Sequence, residues 1–357
     1  MSIFEQMIEY GHERVAFHHD RDTGLRAIIA VHSTVLGNAL GGTRRWHYAT
    51  ESEAIYDVLR LSQGMTYKAA CAGLPMGGAK SVIMMPRPGQ EISEPEARAM
   101  GRFVHTFQGV YIAAEDVGVN TQFIDWMGLE TKHVMGGEKT SKGGDPSPYT
   151  ARGVLNGMRA AVQHVTGASS FESITVAVQG LGSVGSHLVS LLVEQGAKVI
   201  GADINQQLVE QCVDEFGITA TSTDEILLTE CDVLAPCALG GVIDANLARK
   251  LNCRIVCGGA NNILDDPDED AVALKNQGIV FAPDFVVNAG GLIHLAGLYL
   301  GMTMEELLRM NDQIEETTAQ ILLEGETLVS TYAAAVALAQ RRIAEGARVK
   351  REQVHAG

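Results

Sequence analysis
Residues Gln179 to Gly185 read Q-G-L-G-S-V-G, and Asp203 stands eighteen residues beyond the last glycine. The β-branched run Ile174 to Val178 before them suits a buried parallel strand, and Ser186 to Gln195 has the apolar spacing of a helix. Lys198 to Ala202 follows as a second strand and leads into the acid. A strand, a glycine turn, a helix and a second strand closed by a carboxylate form the unit that binds a dinucleotide. Gly180 makes the tight turn, Gly182 admits a pyrophosphate to bare backbone, and Gly185 lets the helix close on the sheet. Leu181, Ser183 and Val184 complete a cradle at the helix N-terminus, where unpaired N–H groups attract anions. Asp203 can accept hydrogen bonds from the adenosine ribose and would repel a 2′-phosphate. Ile204, Asn205 and Gln206 bring no cation to relieve that repulsion, so NAD rather than NADP is the expected cofactor.

A chain of 357 residues suggests two domains rather than one core. The density of Gly, Pro and small polar residues from 137 to 147 marks the division and a candidate hinge. The expected domains are residues 1–136, and 137–326 for the dinucleotide unit, with helices in 327–357 packing back on the first. Upstream, Ala27 to His32 and Ser81 to Met85 read as strands and Glu53 to Gly64 as a helix. Downstream, Tyr149 to Val165 reads as a helix, and Val233 to Pro236, Arg254 to Cys257 and Ile279 to Ala282 as strands. Met304 to Leu323 and Thr327 to Glu345 read as two tail helices. Strands alternating with helices imply an α/β fold with open, mostly parallel sheets.

The net charge of −16, with no Lys/Arg cluster, argues against nucleic acid as a partner. Glu5 and Glu9 occupy the start where a signal peptide would be basic, and no apolar run reaches membrane-spanning length. With six cysteines expected to be reduced thiols, the expected location is the cytoplasm.

The densest chemistry lies in Gly64-Met-Thr-Tyr-Lys68 and Gly73-Leu-Pro-Met-Gly-Gly-Ala-Lys80. Two lysines among apolar residues and glycines are unlike solvated surface lysines, and Gly77 and Gly78 are expected to leave room for a ligand. Burial and a neighbouring cation both lower a lysine pKa, which would make one lysine a base while the other binds a carboxylate. Ala113-Ala-Glu-Asp-Val-Gly118 ends an apolar strand on two acids, one of which could exchange protons with an amine. A loop acid that merely caps the next helix is the structural alternative.

These segments belong to a longer series: G-G-T-R-R-W at 41–46, G-M-T-Y-K at 64–68, G-G-A-K at 77–80 and A-E-D-V-G at 114–118. S-P-Y-T at 147–150, A-P-C-A-L-G at 235–240, G-G-A-N-N at 258–262 and N-A-G-G at 288–291 follow in order. The series resembles the amino-acid dehydrogenase family that includes leucine, valine, phenylalanine, tryptophan and glutamate dehydrogenases. The resemblance spans nearly the whole chain. It implies a substrate domain and a Rossmann domain with a cleft between them, which must close for hydride transfer. It also implies that Lys68 pairs with the substrate α-carboxylate, Lys80 activates water, and Asp116 shuttles protons at the amino nitrogen. Thr150, Ala238 and Asn261 match positions at the nicotinamide half of the cofactor, and Asn288 one near cofactor and substrate. Ala79 departs from the glycine of many leucine and phenylalanine members, a change that a small methyl group makes tolerable.

Glutamate members carry a lysine at the position of Leu40, where a buried side-chain carboxylate needs a cation. Leucine there argues against glutamate. The same alignment lines the side-chain pocket with Leu40, Gly41, Met65, Ala114, Leu292 and Leu295, all of them apolar. The expected reaction is reversible oxidative deamination of leucine, valine or isoleucine to the 2-oxo acid and ammonium. Phenylalanine or tryptophan is the alternative substrate, and a non-catalytic NAD-binding regulator the alternative of another class. The resemblance implies a homo-oligomer, dimer-based and up to an octamer. No metal is expected: His18-His19 reads as a polar turn, and Cys253 and Cys257 as thiols on one face of a strand. Trp46 and Trp126 read as packing residues, and His294 as a pocket-lining residue.

Overall fold
The computed structural model of the chain describes residues 2–139 and 144–356. It divides into two compact units: Met1–Asp145 with Leu295–Thr303 and Ala339–Gly357, and Pro146–His294 with Met304–Leu338. Part of the glycine-rich junction, residues 140–143, lies outside the described residues.

The first unit opens with α1 (Ile3–Tyr10), β1 (Arg14–His19), β2 (Arg26–Ser33), β3 (Ala39–Trp46), α2 (Glu51–Cys71) and β4 (Gly77–Met84). It continues with α3 (Glu94–His105), β5 (Tyr111–Glu115) and α4 (Thr121–Gly128). Side-chain oxygens start all four of these helices: Ser2 accepts from the Glu5 N–H, Thr50 from Glu53, Ser93 from Glu96 and Asn120 from Phe123. The sheet order is β1-β2-β4-β3-β5. It is mixed rather than mostly parallel, since β2 runs antiparallel to β1 and β4 while β3 runs parallel to β4 and β5.

Strand alternation builds two cores, one on each face. Ala27, Ile29, Val31, Ala79, Ile83, Tyr111 and Ala113 pack with Met100, Phe103 and Val104 of α3. Ile28, Ala30 and Val82 pack on the opposite face with Ala54, Val58 and Leu59 of α2. Helix α2 runs through Gly64 to Cys71, beyond the end expected there, because its buried residues continue through Thr66, Ala69 and Ala70. That packing outweighs the cost of about 1 kcal/mol for a glycine in a helix. Lys68 therefore stands on the last turn of α2.

Three further readings are corrected. His18 and His19 lie within β1, where the His18 ring stacks on Phe103 at 4.7 Å, rather than in a turn. Trp46 ends β3 and is 52% exposed, so it is not a packing residue within this chain. Gly77 and Gly78 are glycines because backbone comes close: a Cβ at Gly77 would strike the Ser33 carbonyl, and one at Gly78 the backbone of Thr66. The room they leave is filled by protein.

The second unit begins with α5 (Ser147–Thr166), β6 (Thr175–Gln179), α6 (Ser183–Glu194), β7 (Lys198–Ala202), α7 (Gln206–Phe216), β8 (Thr219–Ala220) and β9 (Val233–Pro236). Then come α8 (Ala245–Ala248), β10 (Ile255–Val256), α9 (Pro267–Asn276), β11 (Val280–Phe281) and α10 (Asp284–Val287). The last helices of the chain are α11 (Gly290–Leu300), α12 (Met304–Thr327) and α13 (Thr331–Ala356). All six strands are parallel, in the order β11-β10-β9-β6-β7-β8. The order reverses direction between β6 and β9, the switch point at which open α/β sheets take ligands. Cys257 joins the core around α5 and α6 while Cys253 packs against the core on the other side, so the two thiols do not share a face. All six cysteines are free. Among the described residues no single helix is long and apolar enough to cross a membrane.

Candidate active site
Two clusters of functional groups emerge, one in each unit. In the first unit, alternation along β3, β4 and β5 selects one set of side chains. Arg44 and Arg45 are sequence neighbours yet turn to opposite faces: Arg44 meets Asp57 of α2, and Arg45 meets Glu96 of α3. Leu40, Gly42 and Arg44 thus share a face with Lys80, which lies two residues from Val82 of the α2-side core. Asp116 follows β5 and completes the set. Lys80 Nζ lies 2.8 Å from Asp116 Oδ2, and Arg44 Nε donates to the same oxygen at 2.9 Å. Arg44 Nη1 donates to both Asp57 oxygens at 3.1 and 3.3 Å, and the Tyr48 hydroxyl donates to Asp57 at 2.7 Å. Lys80 is only 5% exposed. A Cβ at Gly42 would sit 3.2 Å from Lys80 Nζ and 2.8 Å from Asp116 Cβ, so glycine there keeps the space in front of the amine open.

The electrostatics follow from burial and sharing. Burial depresses the Lys80 pKa most; Asp116 opposes that, and the Arg44 charge adds to it. Burial alone would raise the Asp116 carboxyl, but Lys80 and Arg44 overcome it and hold the group at about 2. Glu115, its neighbour in sequence, faces the other way. Burial, with Asp145, Asp125 and Glu138 nearby, pushes Glu115 up to about 7. Lys68 is half-buried, two residues along α2 from the Thr66 backbone that packs on Gly78. Leu40 and Ala114 are buried and Met65 is half-buried. Gly41 is held against β4, since a Cβ there would strike the Ala79 carbonyl.

Sequence reasoning missed Arg44, Asp57 and Tyr48. Arg44 stood inside a quoted motif; its signal is the two-residue spacing from Leu40 through Gly42, visible only once 39–46 is known to be a strand.

In the second unit Gly180 adopts φ +93°, and a Cβ there would lie 2.8 Å from Ala238. Gly182 caps α6 without any side-chain acceptor, and nothing lies within 4 Å of where its Cβ would be. A Cβ at Gly185 would strike the Gly180 carbonyl, so this glycine sets the approach of α6 to the turn. Ser183 and Val184 form the first turn of α6. Asp203 receives the Leu181 N–H at 2.7 Å on Oδ2 and the Asn205 N–H at 2.8 Å on Oδ1. Asn288 Nδ2 donates to Asn261 Oδ1 at 3.0 Å and to the Ala260 carbonyl at 3.2 Å. The Thr150 hydroxyl donates to the Pro146 carbonyl at 3.2 Å, and a Cβ on Gly291 would meet that hydroxyl oxygen at 2.6 Å. Leu292 is buried on α11, and the His294 ring stacks on Tyr149 with centroids 3.9 Å apart; Leu295, the next residue of α11, is half-buried and belongs to the first unit.

These residues fit a dinucleotide on their own terms. The N-terminus of α6 is open and uncapped, which suits a pyrophosphate. The buried Gln179 Oε1 and Asn288 Oδ1 have no hydrogen-bond partner among the described residues, so each presents an acceptor to an incoming donor. A fold that binds a dinucleotide and also holds a poorly solvated lysine beside a carboxylate is equipped for hydride and proton transfer, the work of a dehydrogenase.

Comparison with known proteins agrees. Residues 12–133 match the Glu/Leu/Phe/Val dehydrogenase dimerisation domain, and residues 145–211 and 202–348 match the Glutamate/Leucine/Phenylalanine/Valine dehydrogenase domain. Leucine dehydrogenase of Bacillus cereus is 43% identical over 346 residues, 96% of this chain and 94% of that one. Valine dehydrogenase of Streptomyces virginiae is 42% identical over 94% of each chain. The crystal structure of L-tryptophan dehydrogenase from Nostoc punctiforme superimposes with a TM-score of 0.85 at 37% identity, over 97% of this chain and 99% of that one. The chain belongs to the Glu/Leu/Phe/Val dehydrogenase family. It is an amino-acid dehydrogenase, an oxidoreductase that uses a nicotinamide dinucleotide.

Proposed function
We propose that the protein catalyses the NAD-dependent, reversible oxidative deamination of a branched aliphatic L-amino acid, leucine first, to the 2-oxo acid and ammonium. The observation that carries this reading is the buried Lys80–Asp116 pair beside Leu40, Gly42 and Ala114. It is a proton-transfer site whose near neighbour at position 40 is a leucine, which cannot pair with a side-chain carboxylate. The similarity to leucine dehydrogenase supports the substrate class.

When bound, the dinucleotide supplies the acceptor for the hydride that leaves Cα. Gly180, Leu181, Gly182, Ser183, Val184 and Gly185 would hold its pyrophosphate and Asp203 its ribose. Thr150, Ala238, Asn261 and Asn288 would hold its other half. Asp203 and the neutral residues after it support NAD over NADP.

Lys68 would pair with the α-carboxylate and fix the substrate's orientation. Loss of hydride from the neutral amine leaves an iminium at Cα. Neutral Lys80 takes a proton from the water that adds to that carbon, passes it to the nitrogen, and takes the hydroxyl proton as ammonia departs and the carbonyl forms. Asp116, flanked by two cations, is a weak proton acceptor. It gains basicity as Lys80 loses its charge, so the two groups exchange protons in step rather than separately.

A homo-oligomer built on a dimer is part of the proposal. Helix α1 buries no side chain fully and leaves Phe4 72% and Ile8 81% exposed, and β1 is an edge strand with Phe17 outward. The two domains of the working enzyme are proposed to follow the two compact units, and six free cysteines suit a reducing cytoplasm.

A panel of L-amino acids assayed with NAD and NADP tests the reading. Reduction of NAD with leucine, valine and isoleucine is expected. The tryptophan dehydrogenase likeness makes an aromatic substrate the rival outcome. NAD binding without turnover of any L-amino acid would leave a non-catalytic regulator.

A further inference from the structure
We infer that Arg44 is a positioning residue for the reaction: anchored by Asp57, it shares the Asp116 oxygen with Lys80, so that Lys80 is released to work as a base. The inference rests on the role proposed above for Lys80 and adds a group that neither motif nor resemblance assigned.

The geometry is a chain of alternating charge. Asp116 Oδ2 accepts from Lys80 at 2.8 Å and from Arg44 at 2.9 Å, so one carboxylate is divided between two cations. A buried lysine with a carboxylate to itself stays protonated and locked as an ion pair. Here the guanidinium competes for the same oxygen and brings its own positive charge close to the amine. A guanidinium can do this and stay in place because its planar fork reaches two acceptors at once. Nε takes Asp116 while Nη1 takes Asp57 at 3.1 and 3.3 Å, and Tyr48 secures Asp57 at 2.7 Å. Arg44 and Asp57 side chains are 20% and 16% exposed, enough shielding to keep the charges effective on one another. The charged groups acting on Lys80 are Asp116 beyond β5, Arg44 on β3 and Asp57 on α2. Asp116 and Asp57 favour its protonated form; Arg44 opposes it.

Those opposed signs give the test. In Arg44→Gln the acid limb of the pH profile of kcat/KM, set by Lys80, moves up by about one to two pH units. Activity lost at neutral pH, about 10- to 100-fold, then returns as the pH is raised. In Asp57→Asn the limb moves the other way, by a smaller amount. A merely structural role would lower kcat/KM evenly across pH and leave the limb in place in both variants, and that result overturns the inference. Melting temperatures establish that each variant is folded. Should Arg44→Gln fail to fold, a downward shift in Asp57→Asn supports the inference and an unmoved limb defeats it.

An activity-independent reading comes from enzyme labelled with ¹³C-lysine, in which the Lys80 Cε resonance is assigned by its loss in Lys80→Arg. Its titration midpoint moves with the same two signs if the inference holds and stays put if it does not. Failure of the wild-type enzyme on every L-amino acid would refute the proposed function. The resonance titration would still decide the role of Arg44.

Discussion

Asp203 offers the sharpest test of the cofactor site. Both of its oxygens already accept backbone N–H groups, from Leu181 at 2.7 Å and Asn205 at 2.8 Å, and this fixes the carboxylate beside the glycine turn. A 2′-phosphate there would carry nearly two charges. At roughly 5 Å, with an effective dielectric between about 40 and 80, the repulsion is about 2–3 kcal/mol, or about 30- to 150-fold in affinity. Hydrogen bonds from the ribose hydroxyls to a charged acceptor add about 1.5–3 kcal/mol in favour of NAD. In Asp203→Ser the charge is gone, while the short hydroxyl can still accept from Asn205 and keep the turn. The ratio of NADPH to NADH dissociation constants should therefore fall at least 30-fold, partly through weaker NADH and partly through tighter NADPH. Fluorescence titration of both reduced cofactors measures this directly, and kcat/KM with each oxidised cofactor checks it in turnover. A parent enzyme that prefers NADP would refute the reasoning. So would a folded Asp203→Ser protein whose ratio moves less than about threefold.

Lys68→Ala should raise KM for the amino acid and for the 2-oxo acid alike by about 10-fold or more, because both carry the α-carboxylate. NADH affinity should hold, and an unchanged KM in both directions would remove Lys68 from that role. Acid stability should depend on His12, whose Nε2 lies 2.7 Å from Ser62 Oγ and whose ring meets His32 at 4.9 Å. Burial, reinforced by His32, lowers its pKa from 6.5 to about 4, so the unfolded chain takes up a proton first as the pH falls. Folding stability is therefore lost progressively below about pH 6.5, by at most about 1.4 kcal/mol per pH unit, until the folded group titrates near 4. Urea midpoints at pH 7, 5.5 and 4.5 should fall, and His12→Gln should flatten the slope; an equal slope in both proteins would place the acid sensitivity elsewhere.

The dinucleotide unit was legible in sequence because its determinants are local. Strand β7 has the bounds read from the chain, Lys198 to Ala202, and β9 those of Val233 to Pro236. Gly185 is a glycine for a contact within the turn itself, with the Gly180 carbonyl, whereas Gly180 also answers to Ala238 beyond β9. Elements decided by distant packing were read less well. Helix α2 outran its expected end at Gly64 because Thr66, Ala69 and Ala70 are buried, Thr66 against His32 of β2 and Gly78 of β4. Gly77 and Gly78 looked like room for a ligand and are instead the points where Ser33 and Thr66 press on β4.

The charged cluster shows why such a site is only half visible in a sequence. Lys80 and Asp116 could be singled out by residue type, since a lysine among glycines and an acid after an apolar strand are both unusual. Arg44 had no such mark. The segment A-L-G-G-T-R-R-W has two glycines and two arginines and little β propensity of its own. It is a strand because β4 and β5 pair with it on both sides, from Ala39 opposite Gly77 and Tyr111 onward. Only that pairing fixes the alternation that sends Arg45 to Glu96 and Arg44 to Asp116. A one-residue slip would exchange the two arginines. The ion pair of Lys80 thus depends on a register set by neighbouring strands, and it is through the register that Gly42 stands before the amine and Arg44 beside its carboxylate.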